Sequence, residues 1–481
     1  MRLFSQTFTS LAIATTAALN LSTSAKAITL TIGQNFTASI FLEDSERNPP
    51  DTMGAVGEEH IVELINGRYS VYRKSDGVRV QTSSLNDFWT EAGVTPAGGF
   101  AFDPRVLYDP FSQRWFATAV DNFGGDNNFL LAASNFPDPT AGWTGFAIDS
   151  DSLDQRWADF PTLGFDRDGV YLSASMFPIF DFDDSSVRTT IVALPKNDLL
   201  TTTPTVANAT LFESLPLDTT GFTVQPIVDL DNTGLPIPLL SAFDTIAGLF
   251  NRLSIAGDIN SPILETSDTL IAVTPFSPPF GAVQPGTGAF VDTGDNRFSS
   301  NLILQNGSIW GVQTVGIDRS ALRWFQIDAD TNTLLQEGLI RDSKLDFYYG
   351  SIAVNEFNDV VIGFSASGES QFISSYAVLG QTTSGVTTFG KPTLLKAGID
   401  NYFGGRWGDY SATVLDPTDP LSFWTFQEWA LGEETWATQI TQLRVIRDVA
   451  SVPEPTSALA ILPLGVFGIT AVLKRQQQQK S

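Results

Sequence analysis

Two segments of the chain repeat a pattern of charged and aromatic residues that could bind or cleave a sugar. Residues 156–159 read RWAD and residues 406–409 read RWGD. Each Asp lies seven residues before the Asp of a predicted turn, and Asp103 lies six residues before another such Asp, Asp109. Carboxylates can act as acid, base or nucleophile at a glycosidic bond, and aromatic faces can cover a pyranose ring. The candidate ligand site consists of Asp103, Arg105, Arg156, Trp157, Asp159, Arg406, Trp407 and Asp409.

Two interpretations of this repeat differ in what the charged residues do. In an enzyme, Asp159 and Asp409 would be the catalytic acids, with Arg156 and Arg406 beside them. In a structural arrangement, Asp would cap backbone N–H groups, Arg would tie neighbouring strands together and Trp would fill the core. Because repetition favours a structural role over a unique active site, we predict a non-catalytic binding or structural protein. A carbohydrate-active hydrolase or lyase is the alternative.

The sequence around these residues indicates an all-β fold. Short runs of β-branched and aromatic residues alternate with Gly, Pro, Asn and Asp from Asp51 to Val445, a pattern typical of strands and turns. One unit recurs seven times: an apolar strand, a turn built on Asp or Asn, and a second strand. The turn residues are Asn66, Asp109, Asp166, Asp231, Asn306, Asn355 and Asp416.

The spacing of this unit predicts a β-propeller in residues 51–450, after an N-terminal segment of residues 28–50. Successive turn residues are 43 to 75 positions apart, which is about the size of a propeller blade with loop insertions. We expect about seven four-stranded blades; six blades, eight blades or two β-sandwiches are the alternatives. Asp103, Asp159 and Asp409 would open innermost strands and rim one mouth of the channel.

This body resembles a group of exported bacterial propeller-like proteins whose biochemical role is not assigned. The resemblance covers the chain from about PPDTMGAVG to FWTFQEW and implies a fold rather than an activity. Sialidase-type propellers carry a box of the form S-x-D-x-G-x-T-W, and this sequence has none. The resemblance therefore leaves the ligand open.

Composition excludes several classes of function. The chain has 53 acidic and 27 basic residues, and its net charge of −26 would repel a phosphate backbone, so we expect no nucleic-acid partner. It contains no cysteine and one histidine, His60, which rules out thiolate chemistry, disulfides and multi-histidine metal sites. No nucleotide-binding motif is present.

Acidic loops are the candidate sites for a calcium ion, because calcium prefers oxygen ligands such as Asp carboxylates. The candidate ligands are Asp149, Asp151, Asp154, Asp181 and Asp183. None of these loops follows the EF-hand pattern, and solvated β-turns are the alternative interpretation.

The N-terminus predicts export. Arg2 precedes an apolar stretch from Leu11 to Leu21, and Ala25-Lys26-Ala27 follows it. This order is typical of a secretory signal peptide over residues 1–27, cleaved after Ala27.

The C-terminus predicts a sorting signal in residues 451–481. A Pro-Glu-Pro motif precedes an uncharged run over residues 457–473, long enough for one membrane-spanning helix, and a basic pair follows. The motif residues are Val452, Pro453, Glu454, Pro455, Thr456, Lys474 and Arg475. This order resembles the PEP-CTERM sorting signal of exopolysaccharide-producing bacteria. The resemblance implies recognition by an exosortase-type membrane protease, transient insertion in the membrane, and the cell surface or a polysaccharide matrix as destination.

Overall fold

Strands make up most of residues 28–180, 186–266 and 270–447, which the computed structural model of the chain describes. The predicted signal peptide, the sorting signal, and the calcium candidates Asp181 and Asp183 lie outside these residues. Residues 28–446 form one compact unit. Among the described residues, no helix is long and apolar enough to cross a membrane.

The strands of the described residues pair into five sheets, and two short parallel pairings divide the thirteen-stranded one into three antiparallel groups. We number these three groups and the other four sheets as blades 1–7, in chain order of their first strands. Blade 1 contains β2 (Met53–Val56), β3 (His60–Ile65), β4 (Arg68–Arg73) and β5 (Arg79–Ser84). Blade 2 contains β6 (Ala101–Asp109), β7 (Arg114–Asp121), β8 (Asn128–Ser134) and β9 (Trp143–Asp149). Blade 3 contains β10 (Arg156–Phe165), β11 (Gly169–Pro178), β12 (Arg188–Pro195) and β13 (Thr210–Pro216).

The remaining blades follow the same plan, and two of them have an extra short strand. Blade 4 contains β14 (Phe222–Asp229), β15 (Ile237–Asp244), β16 (Leu249–Asp258), β17 (Ser261–Thr266) and β18 (Ile271–Ala272). Blade 5 contains β19 (Leu302–Gln305), β20 (Ser308–Gly316), β21 (Ser320–Asp328) and β22 (Leu334–Ile340). Blade 6 contains β23 (Leu345–Val354), β24 (Asp359–Gly368), β25 (Gln371–Thr383), β26 (Val386–Phe389) and β27 (Thr393–Lys396). Blade 7 contains β28 (Ala412–Asp416), β29 (Asp419–Gly432), β30 (Thr435–Ile446) and β1 (Thr29–Ile40). Short helices α1 (Leu85–Glu91), α2 (Lys196–Leu199) and α3 (Leu217–Thr220) lie between strands.

The first strands of the blades form a closed ring. β2 contacts β6, and the contacts continue through β10, β14, β19, β23 and β28 back to β2. Short parallel pairings join β10 to β14 and β14 to β19. The all-β prediction with four-stranded sheets is confirmed, and the ring is propeller-like. Buried apolar side chains, including the fully buried Trp115, Trp310 and Trp424, fill the space between blades.

Blade 7 is completed by the N-terminal strand. β1 pairs antiparallel with β30, from Thr29 opposite Ile446 to Ile40 opposite Ala437. The sequence analysis places residues 28–50 before the repeat, because this segment has no turn unit of its own. Only the long-range pairing includes it in the ring.

The recurring turn is held by its own side chain. Asp166, for example, accepts hydrogen bonds from the backbone N–H groups of Asp168 and Gly169 at 2.8 and 2.7 Å and from the Tyr171 hydroxyl at 3.1 Å, the Asx-turn geometry. In blade 4 this role falls to Asp229, which accepts from the N–H of Asp231.

Six of the seven predicted turns join the first and second strands of their blades, and Asn66 is the exception. It lies between β3 and β4, so it joins the second and third strands of blade 1. The prediction was wrong for this unit because the first hairpin of blade 1 turns at Gly57, Glu58 and Glu59, which lack the Asp or Asn signal.

Candidate functional site

Four aspartates from blades 1, 2, 3 and 7 lie together where the innermost strands begin. The backbone N–H of Asp409 donates to Asp51 Oδ1 at 2.8 Å, and the carboxyl group of Asp159 hydrogen-bonds to Asp103. We call Asp51, Asp103, Asp159 and Asp409 the mouth aspartates. The structure thus brings together the three aspartates that the sequence analysis assigns to one mouth, and adds Asp51.

A β-bulge opens several innermost strands and turns these side chains toward the channel. The strand register shifts between Phe102 and Arg105 in blade 2, and equivalent shifts occur in blades 3, 4 and 6. Asp103, Phe160 and Tyr349 occupy the bulges with φ values of 52°, 52° and 50°, in a region that disfavours residues with a Cβ. Bulges re-aim side chains and occur often beside ligand sites.

Asn66 connects two of the mouth aspartates. Its side-chain amide donates to Asp51 Oδ2 at 2.7 Å, and its amide oxygen accepts from the Asp103 N–H at 2.8 Å. Asp103 in turn accepts a hydrogen bond from the backbone N–H of Phe160 at 3.1 Å. These bonds fix the carboxylates of blades 1 and 2 relative to blade 3.

Three arginines balance part of the negative charge. Arg406 forms an ion pair with Asp409. The Arg297 guanidinium binds Asp295 through two nitrogens and lies over the ring of Phe160 at 4.5 Å. The third arginine, Arg105, lies below the mouth.

Arg105 closes the channel beneath the aspartates. It is fully buried, donates to the carbonyl oxygens of Pro161 at 2.8 Å and Ser299 at 3.0 Å, and lies 3.8 Å from the centre of the Tyr410 ring. These partners come from blade 3, from the segment before blade 5, and from blade 7. Arg105 is therefore a structural cation that ties distant blades together, rather than an exposed part of the mouth.

Burial changes the protonation of the mouth. Burial and, to a lesser extent, the charge of Asp103 raise the pKa of Asp159 to about 8, although Arg297 opposes the rise. The pKa values of Asp51 and Asp409 are raised chiefly for the same reason. Asp159 is thus a protonated carboxylic acid at pH 7, so the mouth presents a carboxyl hydrogen-bond donor as well as acceptors.

A pocket of about 180 Å³ opens beside these groups. Its lining includes Phe160, Arg406 and Asp409 from the blades, and Arg297 from the segment before β19. Tyr349 also lines it; this residue is 4% exposed, and its hydroxyl has no hydrogen-bond partner among the described residues. A buried hydroxyl without a partner is unfavourable, so this pocket is suited to a polar ligand.

The segment between β18 and β19 forms one wall of the pocket. It contributes Asp292 and Arg297 and reaches toward blade 7, where Gln284 exchanges hydrogen bonds of 2.9 and 2.6 Å with the backbone of Tyr402. No turn unit of the repeat lies in this segment. The repeat therefore did not identify Arg297 and Asp292 as site residues.

Asp51 and Tyr349 were also missed. Asp51 precedes the first strand of blade 1 much as Asp103 opens that of blade 2, so the repeat contained a signal for Asp51. No local signal in the sequence marks Tyr349, because its role depends on the pocket that it lines.

Trp407 is not a stacking surface for a ligand. It is 1% exposed, its indole N–H donates to Ser365 Oγ at 3.3 Å, and its ring meets the edge of Tyr402 at 4.7 Å. The structural interpretation of Trp therefore applies to blade 7. Its counterpart Trp157 is half-buried and packs against other aromatic rings.

Arg156 lies apart from the pocket lining. Its backbone N–H donates to Asp151 Oδ2 at 2.9 Å, and its guanidinium donates to the Ser186 carbonyl at 3.4 Å. Arg406 lines the pocket, whereas Arg156 does not. The two RWxD segments differ because their neighbours in space differ.

Asp149, Asp151 and Asp154 do not assemble a calcium site. Asp149 accepts from the Asp151 N–H at 3.1 Å, and Asp151 accepts from the N–H groups of Gln155 and Arg156 at 2.9 Å. Within residues 28–180, 186–266 and 270–447, no group of three acidic or histidine side chains could share a metal ion. Asp149 and Asp151 are turn-capping residues.

Comparisons with known proteins found similarity at the level of structure. No protein-family model matches the chain, and no curated sequence matches it. The Trypanosoma rangeli sialidase is 11% identical with a TM-score of 0.37, over 82% of this chain and 58% of that chain. The Dos1 propeller is 8% identical with a TM-score of 0.43, over 86% of this chain and 95% of that chain.

An endo-arabinase from Bacteroides thetaiotaomicron VPI-5482 is 13% identical with a TM-score of 0.32, over 66% of this chain and 98% of that chain. The chain spans a little over half the length of the sialidase chains it matches.

Proposed function

We propose that this protein is an exported, non-catalytic β-propeller of seven blades that binds a neutral sugar in the pocket at its channel mouth. The observation that carries the proposal is the buried Tyr349 hydroxyl, which lines the pocket without a hydrogen-bond partner among the described residues. A ligand hydroxyl would supply that partner. Asp409 and Arg406 in the same lining add an acceptor and a donor.

The chemistry of the lining favours a polyhydroxylated ligand over an ionic one. A sugar hydroxyl both donates and accepts hydrogen bonds, and the pocket combines carboxyl, guanidinium and phenol groups with the rings of Phe160 and Tyr349. The net charge of −26 opposes an anionic ligand, while the arginines oppose a cation. The volume of about 180 Å³ suits one sugar unit rather than a larger molecule.

Binding is favoured over catalysis because most of the carboxylates have structural partners. Asp51 accepts hydrogen bonds from Asn66 and the Asp409 N–H. Asp103 accepts from the Phe160 N–H, and Asp409 is paired with Arg406. Carboxylates held in this way stabilise the mouth and are poorly placed to act as nucleophiles.

The variant Tyr349→Phe tests the proposal by calorimetric titration with neutral monosaccharides. Because the hydroxyl makes no hydrogen bond to any of the described residues, we expect the free energy of unfolding to stay the same within about 0.5 kcal/mol or to rise. Binding should weaken by about tenfold, the value of one lost hydrogen bond to the ligand. Asp409→Asn should weaken binding as well.

A control and a contrary outcome define this test. The exposed Asp419 is the first residue of β29, and Asp419→Asn should bind like the wild type. Loss of stability in Tyr349→Phe, or unchanged affinity for the bound sugar, would show that the hydroxyl has a structural role instead. If no neutral sugar binds the wild type, the proposal fails.

A carbohydrate-active hydrolase or lyase is the second candidate, and the pKa of Asp159 favours it. A carboxyl group with a pKa of about 8 is protonated at neutral pH and could act as a general acid. The double variant Asp159→Asn with Asp409→Asn tests this candidate. If the wild type releases reducing ends from a polysaccharide and the folded double variant does not, the non-catalytic proposal is wrong.

We also propose that the protein is exported through its N-terminal signal peptide and sorted by an exosortase-type partner to the cell surface or polysaccharide matrix. The support is the motif order in residues 1–27 and 451–481. Deletion of residues 452–481 followed by cell fractionation tests the sorting step. If the shortened protein reaches the same fraction as the full chain, the tail is not the signal.

A further inference from the structure

We propose that a strip of aromatic side chains beside the mouth pocket binds successive rings of a neutral polysaccharide. The inference rests on the proposed sugar pocket and extends it from one sugar unit to a chain. We call the strip the aromatic strip. It consists of Phe100, Phe102, Phe123, Trp157, Phe177 and Phe222.

The six rings form a continuous path across three blades. The ring centres of Phe100 and Phe123 are 5.0 Å apart, and those of Phe123 and Trp157 are also 5.0 Å apart. Phe177 follows at 5.5 Å from Trp157, and Phe222 at 6.5 Å from Phe177. A path of this length exceeds what one sugar ring covers.

The strip is accessible to solvent at the same end of the ring of blades as the mouth aspartates. Phe123 is 55% exposed, and the other five rings are half-buried. Phe102 directly precedes Asp103, and Trp157 precedes Asp159 by two positions in β10. A contiguous aromatic patch on an exported protein is costly to leave in water and marks an interaction surface.

The strip is continuous with the pocket through one side chain. The Arg297 guanidinium lies 4.8 Å from the centre of the Phe222 ring and 4.5 Å from that of Phe160. Phe222 ends the strip and Phe160 lines the pocket. Arg297 therefore contacts both the last ring of the strip and a ring of the pocket lining.

The chemistry around the rings favours a neutral polysaccharide over a peptide or a lipid surface. The C–H face of a sugar ring carries partial positive charge and packs on the negative face of an aromatic ring. Exposed Asp126 and Asp154 flank Phe123 and Trp157 in the sequence and in their loops, where they could accept hydrogen bonds from hydroxyl groups. These acids and the net charge of −26 repel anionic membranes and uronate-rich polymers.

The test uses the full exported chain in affinity electrophoresis against three neutral polymers, a soluble β-glucan, a galactomannan and soluble starch, with alginate as the anionic comparison. The variants are Phe123→Ala and Trp157→Ala. The matched control is Phe111→Ala, since Phe111 is 49% exposed in the β6–β7 turn at the opposite end of blade 2. Circular dichroism verifies that each variant is folded.

We expect the wild type to bind at least one neutral polymer and to leave alginate unretarded. Phe123→Ala should weaken polymer binding by about tenfold, while Phe111→Ala leaves it unchanged. Monosaccharide binding in the pocket should be unaffected by Phe123→Ala, because Phe123 does not line the pocket. In the same variant, a longer oligosaccharide should gain less affinity over a shorter one than it does in the wild type.

The outcomes separate this inference from the proposed sugar pocket. If a monosaccharide binds the pocket but Phe123→Ala and Trp157→Ala retain wild-type polymer binding, the aromatic strip is overturned and the pocket stands. If polymer binding requires the strip but is insensitive to Tyr349→Phe and Asp409→Asn, the strip stands and the pocket proposal fails. If no neutral polymer binds the wild type, the strip is overturned.

Discussion

Asp159 and Glu428 are two carboxyl groups that burial shields from water, and both interact with the charge of Asp409. Glu428 accepts hydrogen bonds from Thr52 Oγ1 at 2.8 Å and from the Gly408 N–H at 3.2 Å. Burial raises the pKa of Glu428 to about 8, despite these bonds, and raises the pKa of Asp159 to about 8 as well. At the residue scale, the mouth therefore consists of acids whose protonation depends on the folded structure.

These pKa values predict that the protein loses stability as the pH rises from about 4 to about 8. In the folded state each group keeps its proton up to about pH 8, whereas the unfolded chain releases it near pH 4, so the stabilisation is fully present at about pH 4, is lost between about pH 4 and 8, and changes no further above about pH 8. Asp159→Asn should flatten the decline in the free energy of unfolding over this range, by about 1.4 kcal/mol per pH unit at most. The exposed Asp419→Asn is the control. Parallel curves for wild type and Asp159→Asn would contradict the raised pKa.

At the scale of elements, two local devices position the site. Asx turns at one end of the first hairpins of blades 2, 3, 4, 6 and 7 fix the strand register. Bulges near the other end hold Asp103, Phe160 and Tyr349 in three of these blades. Asp416 shows how a turn residue also joins blades: it accepts from Thr418 N at 2.9 Å within its turn and from Lys74 Nζ of blade 1 at 2.9 Å. The turns therefore contribute to closure as well as to hairpins.

Replacing Asp416 by Ala should destabilise the protein by about 3 kcal/mol, because the change leaves Lys74 and the indole N–H of Trp424 without their acceptor. Urea unfolding measures the effect. Asp419→Ala, three residues further along and exposed, should change stability by about 0.5 kcal/mol or less. Equal effects at the two positions would show that the contact between blades 7 and 1 contributes nothing.

At the scale of the whole molecule, stability depends on closing the ring. β1 supplies the fourth strand of blade 7, and Glu63 of blade 1 accepts hydrogen bonds from Ser39 of β1 and Thr438 of β30. The first and last parts of the chain thus meet at one buried carboxyl group, whose pKa burial raises. Residues from blades 1, 2, 3, 6 and 7 can share a single mouth only when this ring is closed.

Deletion of residues 28–40 should therefore abolish cooperative unfolding rather than shift it. The deletion exposes the edge of β30 and removes the Ser39 hydroxyl from Glu63. Thermal unfolding followed by circular dichroism and limited proteolysis measure the loss. Ser39→Ala is the milder comparison and should lower stability by about 1 kcal/mol. A truncated protein with a sharp, wild-type transition would refute the closing role of β1.

Most of the strands and turns could be predicted from the sequence, since alternation of side chains and Asx turns are local properties. The repeat also identified three of the four mouth aspartates. It could not show that Trp157 and Trp407 have different surroundings, because both lie in the same RWxD motif. Tyr402 and Ser365 bury Trp407, whereas Trp157 joins a half-exposed group of rings.

The sequence by itself determined the all-β class, the repeat of hairpins and the excess of acidic residues, because each depends on composition or on residues near one another in the chain. Only the tertiary structure decided which side chains meet. Arg105 reaches Ser299 across 194 positions, Arg297 reaches Phe160, and the Tyr349 hydroxyl beside the pocket has no hydrogen-bond partner in the part of the chain that the structure describes. The burial of these side chains, the raised pKa values of the mouth carboxyl groups and the pocket all arise from contacts between distant blades, and no local sequence pattern encodes them.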